Sequence, residues 1–217
     1  MQGDAIVHIV DDDLAVRQSL SFLLASDGFP VRLHESASQF LDNVREAPTG
    51  CIITDVRMPG IDGIEFLRSL AERGISLPVI VITGHADVSL AVEAMKEGAV
   101  DFIEKPFDDE LLLAAVRSAL DRHQRKTQHE AQGIDILVRL KSLSEREKQV
   151  LDRLVEGKAN KVIAHELGIS PRTVEIYRAN VMTKMRAASL PELVRFALLV
   201  GDSAPLEIAA RRRERPA

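Results

Sequence analysis

CIITDVRMPGIDGIEFL, residues 51–67, decides the fold of the first half of this chain. It opens on a short apolar run, CIIT (51–54), ends that run on a carboxylate, Asp55, and then turns at VRMPG. A brief apolar stretch with no polar alternation, closed by a turn, reads as a strand buried on both faces of a parallel sheet. The same signature recurs on either side, at IVHIV (6–10), VRL (31–33), VIVI (79–82) and VDFI (100–103). Segments of 3.6-residue periodicity lie between these runs. In 86–97, Val88, Ala91, Val92 and Met95 fall on one face, and Gly98 is placed to cap the helix. Five strand–helix repeats within about 120 residues predict a doubly wound α/β domain with right-handed crossovers.

The whole chain has 217 residues, 46% of them hydrophobic and 28% charged, enough to bury a core. One cysteine excludes a disulfide framework or a multi-cysteine zinc site and fits a reducing compartment. The N-terminal MQGDAIVHIVDDD lacks the basic start of a signal peptide, and no run approaches the ~18 apolar residues of a membrane span. A cytoplasmic protein without a membrane partner is therefore expected. The net charge of −5 conceals a division. Residues 1–124 carry 21 acidic and 10 basic side chains, whereas residues 125–217 carry 12 and 18. An acidic half joined to a basic half predicts two domains with different partners.

Ligands of an open α/β sheet bind beyond the carboxyl ends of its strands. There this sequence places Asp11, Asp12 and Asp13 after the first strand, Asp55 at the end of the third, Thr83 at the end of the fourth and Lys105 after the fifth. Converging carboxylates repel unless a cation holds them, and clustered oxygens suit Mg²⁺. An Asp beside such a metal is a nucleophile toward phosphorus, and a hydroxyl and an ammonium opposite it can bind phosphoryl oxygens. Asp13 also suits the N-cap of the helix that starts near Leu14.

IVHIVDDD, CIITDVRMPGIDGIEFL, VITGH (81–85) and FIEKPF (102–107) together resemble the receiver domain of bacterial two-component response regulators. The resemblance spans about 120 residues and implies a five-stranded parallel sheet of order 2-1-3-4-5. It implies that Asp55 accepts a phosphoryl group from a sensor histidine kinase. It further implies that Asp11, Asp12, Asp55 and the backbone carbonyl of Arg57 bind Mg²⁺, that Thr83 and Lys105 bond the phosphate oxygens, and that Phe102 is a switch aromatic. Lys105-Pro106 matches a peptide bond often cis in receivers. A haloacid-dehalogenase-type phosphatase is the rival, with Asp11 as nucleophile, Asp13 as acid/base and Asp108 and Asp109 as its acidic pair. That alternative leaves Asp55 and its MPG turn without a role.

From about Asp108 a helical pattern runs without Gly or Pro to Gly133, but its apolar face fades after Leu120. Residues 1–120 are thus expected to form the receiver and 121–140 a partly helical linker. A small all-α, four-helix domain is expected at 141–205, and a disordered basic tail at 206–217. Ser144 and Glu147 form a capping box for a helix lined by Val150, Leu151, Leu154 and Val155. A second helix follows Asn160 and stops at Gly168. Ser170-Pro171 starts a third, with Val174, Tyr177, Val181 and Met185 inward, and a fourth starts near Ser189.

The second and third of these helices have helix-turn-helix spacing over 160–179. The third carries Arg172, Arg178, Lys184 and Arg186 against Glu175, with Thr173, Glu175, Ile176, Ala179 and Thr183 outward. Such a face suits double-stranded DNA, with Lys161, Arg172, Arg178 and Lys184 on phosphates and Thr173, Glu175, Ile176 and Ala179 toward base edges. LSEREKQVLDRLVEGKANKVIAHELGISPRTVEIYRANVMTKM (143–185) resembles the LuxR-type DNA-binding domain. Glu175 stands where many such domains have Lys, and Tyr177 where many have His.

Both halves together resemble the FixJ-type response regulators, which activate nitrogen-fixation genes. The resemblance implies homodimerisation on phosphorylation, a near-palindromic promoter site and contact with RNA polymerase. It suggests Val92 and Lys96 as receiver pairing contacts and Leu193 and Ala197 as contacts in the fourth helix. No enzymatic turnover is expected beyond self-phosphorylation from a phosphodonor and slow autodephosphorylation. The other class open to this sequence is a constitutive DNA-binding protein whose receiver serves only protein interaction.

Overall fold

The structure is a computed structural model, which describes residues 5–44, 49–84 and 88–203. Two compact units divide between Lys126 and Thr127. The first contains β1 (Ile6–Val10), α1 (Leu14–Ser26), β2 (Val31–His34), α2 (Ala37–Asn43), β3 (Gly50–Asp55), α3 (Gly63–Glu72), β4 (Val79–Thr83), α4 (Val88–Lys96), β5 (Asp101–Glu104) and the start of α5 (Asp109–Lys141). The five strands form one parallel sheet in the order β2-β1-β3-β4-β5, as expected.

The apolar runs do not alternate because both faces are covered. Val7, Ile9, Cys51, Ile53, Ile80 and Ile82 pack with Leu20 and Leu24 of α1 and Leu112 and Val116 of α5. Val10, Ile52, Val79 and Val81 pack on the opposite face with Phe40 of α2, Phe66 and Leu70 of α3 and Ala94 of α4. The parallel register brings the strand ends together: Val10 pairs with Thr54, Asp55 with Ile82, and Thr83 with Glu104. Asp13 caps α1 by accepting from the Ala15 amide, as its position implied.

Helix α4 departs from the expected packing. Its buried residue is Ala94, flanked by half-buried Leu90, whereas Val88, Val92 and Met95 are exposed. Its most apolar stripe therefore faces outward, and Val92 is no part of the core.

The linker expectation is also corrected. Residues 121–140 are helical throughout, inside the 33-residue α5. The polar stretch after Leu120 hid a second apolar set: Ile136 is buried in the core of the second unit, with Leu137 and Leu140 packed beside it. Burying an isoleucine contributes about 2 kcal/mol, enough to carry a helix through a polar stretch with Gly133 inside it.

The second unit continues with α6 (Glu145–Val155), α7 (Asn160–Leu167), α8 (Pro171–Met185) and α9 (Leu190–Ser203). The Ser144–Glu147 capping box forms, Gly168 ends α7 in the left-handed conformation, and Ser170 with Pro171 starts α8. The core collects Val150, Leu151, Leu154, Ile163, Ala164, Val174, Val181 and Met185. Leu193 of α9 is fully buried in the same core, so the pairing role expected of it is withdrawn: its side chain already holds α9 to its own unit. The basic tail, 206–217, lies outside the described residues.

Candidate functional site

At the carboxyl ends of the strands the charges of the first unit converge. Lys105 Nζ donates to Asp55 Oδ1 at 2.9 Å and to Asp11 Oδ2 at 3.2 Å, so one ammonium ties the end of β3 to the residue after β1. Asp11 and Asp55 are buried, whereas Asp12 is exposed. Backbone amides fix both carboxylates: the Asp13 N–H donates to Asp11 Oδ1 at 2.9 Å, and the Arg57 N–H donates to Asp55 Oδ2 at 2.6 Å. Thr83 is buried at the end of β4, and its carbonyl accepts the Lys105 N–H at 2.7 Å. Phe102, half-buried, lies opposite Val81. Lys105-Pro106 is cis.

Burial raises the Asp11 pKa, opposed by the Asp13 amide and Lys105, while the charge of Asp55 adds to the rise. Burial also works against the Lys105 ammonium, but the hydrogen bond to Asp55 and the charges of both carboxylates outweigh it and raise its pKa. Among the described residues no three His, Cys, Asp or Glu side chains are gathered tightly enough to hold a metal. The donor set that is present, two buried carboxylates with Asp12 beside them, consists of oxygen and suits a hard divalent cation.

Glycine is required at position 63 by a close approach. A Cβ there would lie 2.5 Å from the Asp55 carbonyl oxygen and 2.9 Å from the Val56 Cα. The Gly63 N–H donates to the Val56 carbonyl at 2.8 Å, so α3 starts directly against the Asp55 backbone. Asp13 and Asp108 both serve as helix caps, Asp108 accepting from the Glu110 amide at 2.9 Å. Two of the carboxylates that the phosphatase alternative needs are thus engaged with backbone.

Two features were missed in the sequence. Arg17 is buried and donates to the Asp11 carbonyl at 2.6 Å. Its signal was a cation in the buried stripe of α1, in step with Leu20 and Leu24. His8 Nδ1 and His34 Nε2 lie 3.0 Å apart in the interior, with Phe40 edge-on to both rings. Burial lowers both pKa values to about 4, Arg32 contributing to each and His34 also to His8. A histidine inside the apolar IVHIV run was the available sign.

In the second unit, α8 carries the residues that the sequence pointed toward DNA. Arg172, Glu175, Ile176 and Ala179 are exposed on one stripe, opposite the buried Val174, Val181 and Met185. Arg178 is half-buried, Lys161 is exposed on α7, and half-buried Thr173 bonds Ser170 Oγ through its hydroxyl. Lys184 differs from expectation. Its Nζ donates to the buried Glu147 carboxylate at 2.7 Å, an engagement that lowers the Glu147 pKa, aided by the Ser144 amide. Lys184 is therefore a structural partner of α6, whereas Lys161 and Arg172 are exposed and Arg178 is half-buried. No helix among the described residues is long and apolar enough to cross a membrane.

Residues 7–117 match the response regulator receiver domain family, and residues 141–197 match the bacterial regulatory proteins of the luxR family. The chain is 60% identical over 195 residues to the transcriptional regulatory protein FixJ of Azorhizobium caulinodans, covering 90% of this chain and 92% of that protein. Among solved structures, the response regulator StyR superimposes with a TM-score of 0.79 at 39% identity, covering 90% of this chain and 99% of that one. Full-length FixJ from B. japonicum superimposes with a TM-score of 0.59 at 52% identity, covering 91% and 98%.

Proposed function

This chain belongs to the FixJ-type response regulators, transcriptional regulators that join a receiver to a LuxR-type DNA-binding domain, and from that premise we propose that its switch is phosphorylation of Asp55 by a sensor histidine kinase. The observation that carries this reading is the Lys105 ammonium bridging Asp55 and Asp11 at the ends of their strands. An Asp55 oxygen attacks the phosphorus of the kinase phosphohistidine; the P–O bond forms as the P–N bond breaks, and the histidine leaves. Asp11, Asp12, Asp55 and the Arg57 carbonyl would hold Mg²⁺, which neutralises charge on the transferring group. Lys105 and the Thr83 hydroxyl then bind the new phosphoryl oxygens, whose charge near −2 calls for fresh donors. The Thr83 movement carries the neighbouring Phe102 and α4 with it.

The exposed face of α4, with Val92 and Lys96, supplies receiver pairing, and α9, through Ala197, supplies pairing of the output unit. The dimer reads a near-palindromic promoter site through α8 and contacts RNA polymerase. Identity of 60% to a FixJ protein favours nitrogen-fixation-type target genes. The protein acts in the cytoplasm. Its own chemistry is limited to self-phosphorylation from a small phosphodonor and slow hydrolysis of the acyl phosphate.

Incubation with Mg²⁺ and acetyl phosphate tests this. The wild type should gain one phosphoryl mass, shift from monomer to dimer and retain promoter DNA more tightly, and Asp55→Asn should do none of these. Equal behaviour of the two proteins would sink the switch.

A further inference from the structure

The C-terminal end of α8 is held from outside its own helix. The last carbonyls of a helix lack intrahelical donors. Here the Met185 carbonyl accepts from Arg139 Nη1 at 3.0 Å. Arg139 is itself fixed by Asp135, one turn earlier on α5, whose two carboxylate oxygens accept from Nε and Nη2. The guanidinium fork thus spans a carboxylate and a backbone carbonyl, a geometry that a lysine cannot reproduce in full. Ile136, buried between Asp135 and Arg139 in sequence, anchors the same turn of α5 in the core. One turn of α8 is therefore clamped twice, by Arg139 on Met185 and by Glu147 on Lys184.

We infer that Arg139 is a positioning residue for DNA recognition, setting the pitch of α8 through the Met185 carbonyl. The inference rests on α8 being the helix that reads DNA. It assigns the output helix's orientation to the C-terminal turns of α5 within the second unit. A shift of a helix by a fraction of an ångström at its far end leaves phosphate contacts adaptable but misplaces base contacts, which demand bidentate geometry.

The test uses the full chain and a duplex selected from a random library by the wild type, with a random duplex as reference. Arg139→Met keeps the apolar stem and removes the fork. It should bind the selected duplex about tenfold more weakly and the random duplex almost unchanged. The slope of log affinity against log salt should stay that of the wild type, because no phosphate contact is lost. Arg139→Lys, which keeps one donor for Met185, should restore most of the preference. A preference for the selected duplex within twofold of wild type in Arg139→Met overturns the proposal, as does a salt slope reduced by about one, which would make Arg139 a phosphate contact. A lowered melting midpoint with the preference retained would also overturn it, leaving a purely structural clamp. Ile176→Asp separates the underlying reading: it puts a carboxylate on the exposed face of α8, and unchanged binding in that variant would show that α8 does not read DNA, whatever Arg139 does.

Discussion

The two units use charge in opposite ways. In the first, the charges at the proposed phosphoacceptor are buried: Asp11 and Asp55 sit inside the protein and share one ammonium. In the second, the buried charge is architectural. Glu147 closes a capping box and holds Lys184, while Arg172, Glu175 and Ile176 stand on the surface. Chemistry on a phosphoryl group needs a desolvated, preorganised centre, whereas DNA needs reachable side chains. Under the proposed function, the first unit places its switch on residues that also hold its fold, whereas the second presents its DNA-reading side chains on the surface and holds α8 from behind.

Gly63→Ala should break the first unit most severely. Its new methyl would meet the Asp55 carbonyl and Val56 Cα, both backbone atoms with no side-chain freedom to yield. Forcing them apart is expected to cost about 3 kcal/mol, read from the first unit's urea transition, and to slow phosphorylation by acetyl phosphate at the same time. Loss of stability with phosphorylation untouched would show that the start of α3 does not shape the acceptor.

Removing the shared cation comes next. Lys105→Met leaves two buried carboxylates facing each other, at a cost of roughly 2 kcal/mol once partial exposure of the ammonium is allowed for. Added Mg²⁺ should recover more stability in this variant than in the wild type, measured as the shift in melting midpoint. An equal Mg²⁺ response in both proteins would mean that the cation does not enter this carboxylate pair.

Legibility in the sequence divided along the same line. Strand ends could be read because buried parallel strands leave unbroken apolar runs, and the polar residues that close those runs, Asp11, Asp55, Thr83 and Lys105, must emerge at one edge of the sheet. Helix faces were less legible. The apolar stripe of α4 pointed to a packed side, yet the residue that α4 buries in the core is the small Ala94. Leu193 and Ala197 looked alike as pairing contacts because periodicity gives a face without saying how deep each position lies. Lys184 looked like every other cation on α8, since its partner Glu147 stands 37 residues away in sequence. Arg17 and the two histidines left a sign in the sequence, a polar side chain in an apolar stripe or run, but their partners are set by strand and helix packing and not by spacing.

The histidine pair offers a pH test that only the first unit should pass. Both folded pKa values lie near 4, below the unfolded value of 6.5. As pH falls through 6.5 the unfolded chain takes up protons first, so stability that is complete above 6.5 is lost progressively down to about 4. At pH 5 the loss should be roughly 1–2 kcal/mol per histidine. The double variant His8→Gln/His34→Gln, whose amides can bond each other without titrating, should flatten this dependence in the first unit's transition. The same slope in wild type and variant would place the acid sensitivity elsewhere.

Arg172→Ala carries the smallest expected change in stability and is the sharpest contrast. Its side chain is exposed on the first turn of α8, so truncation should move the second unit's stability by less than about 0.5 kcal/mol. Binding should nonetheless weaken on selected and random duplexes alike, with the salt slope reduced by about one, because a phosphate contact carries no sequence information. That outcome is the converse of Lys105→Met, in which removing one functional cation shifts stability and chemistry together. A destabilised Arg172→Ala, or one that loses affinity only for the selected duplex, would show instead that the second unit also builds its recognition surface from residues that hold its core.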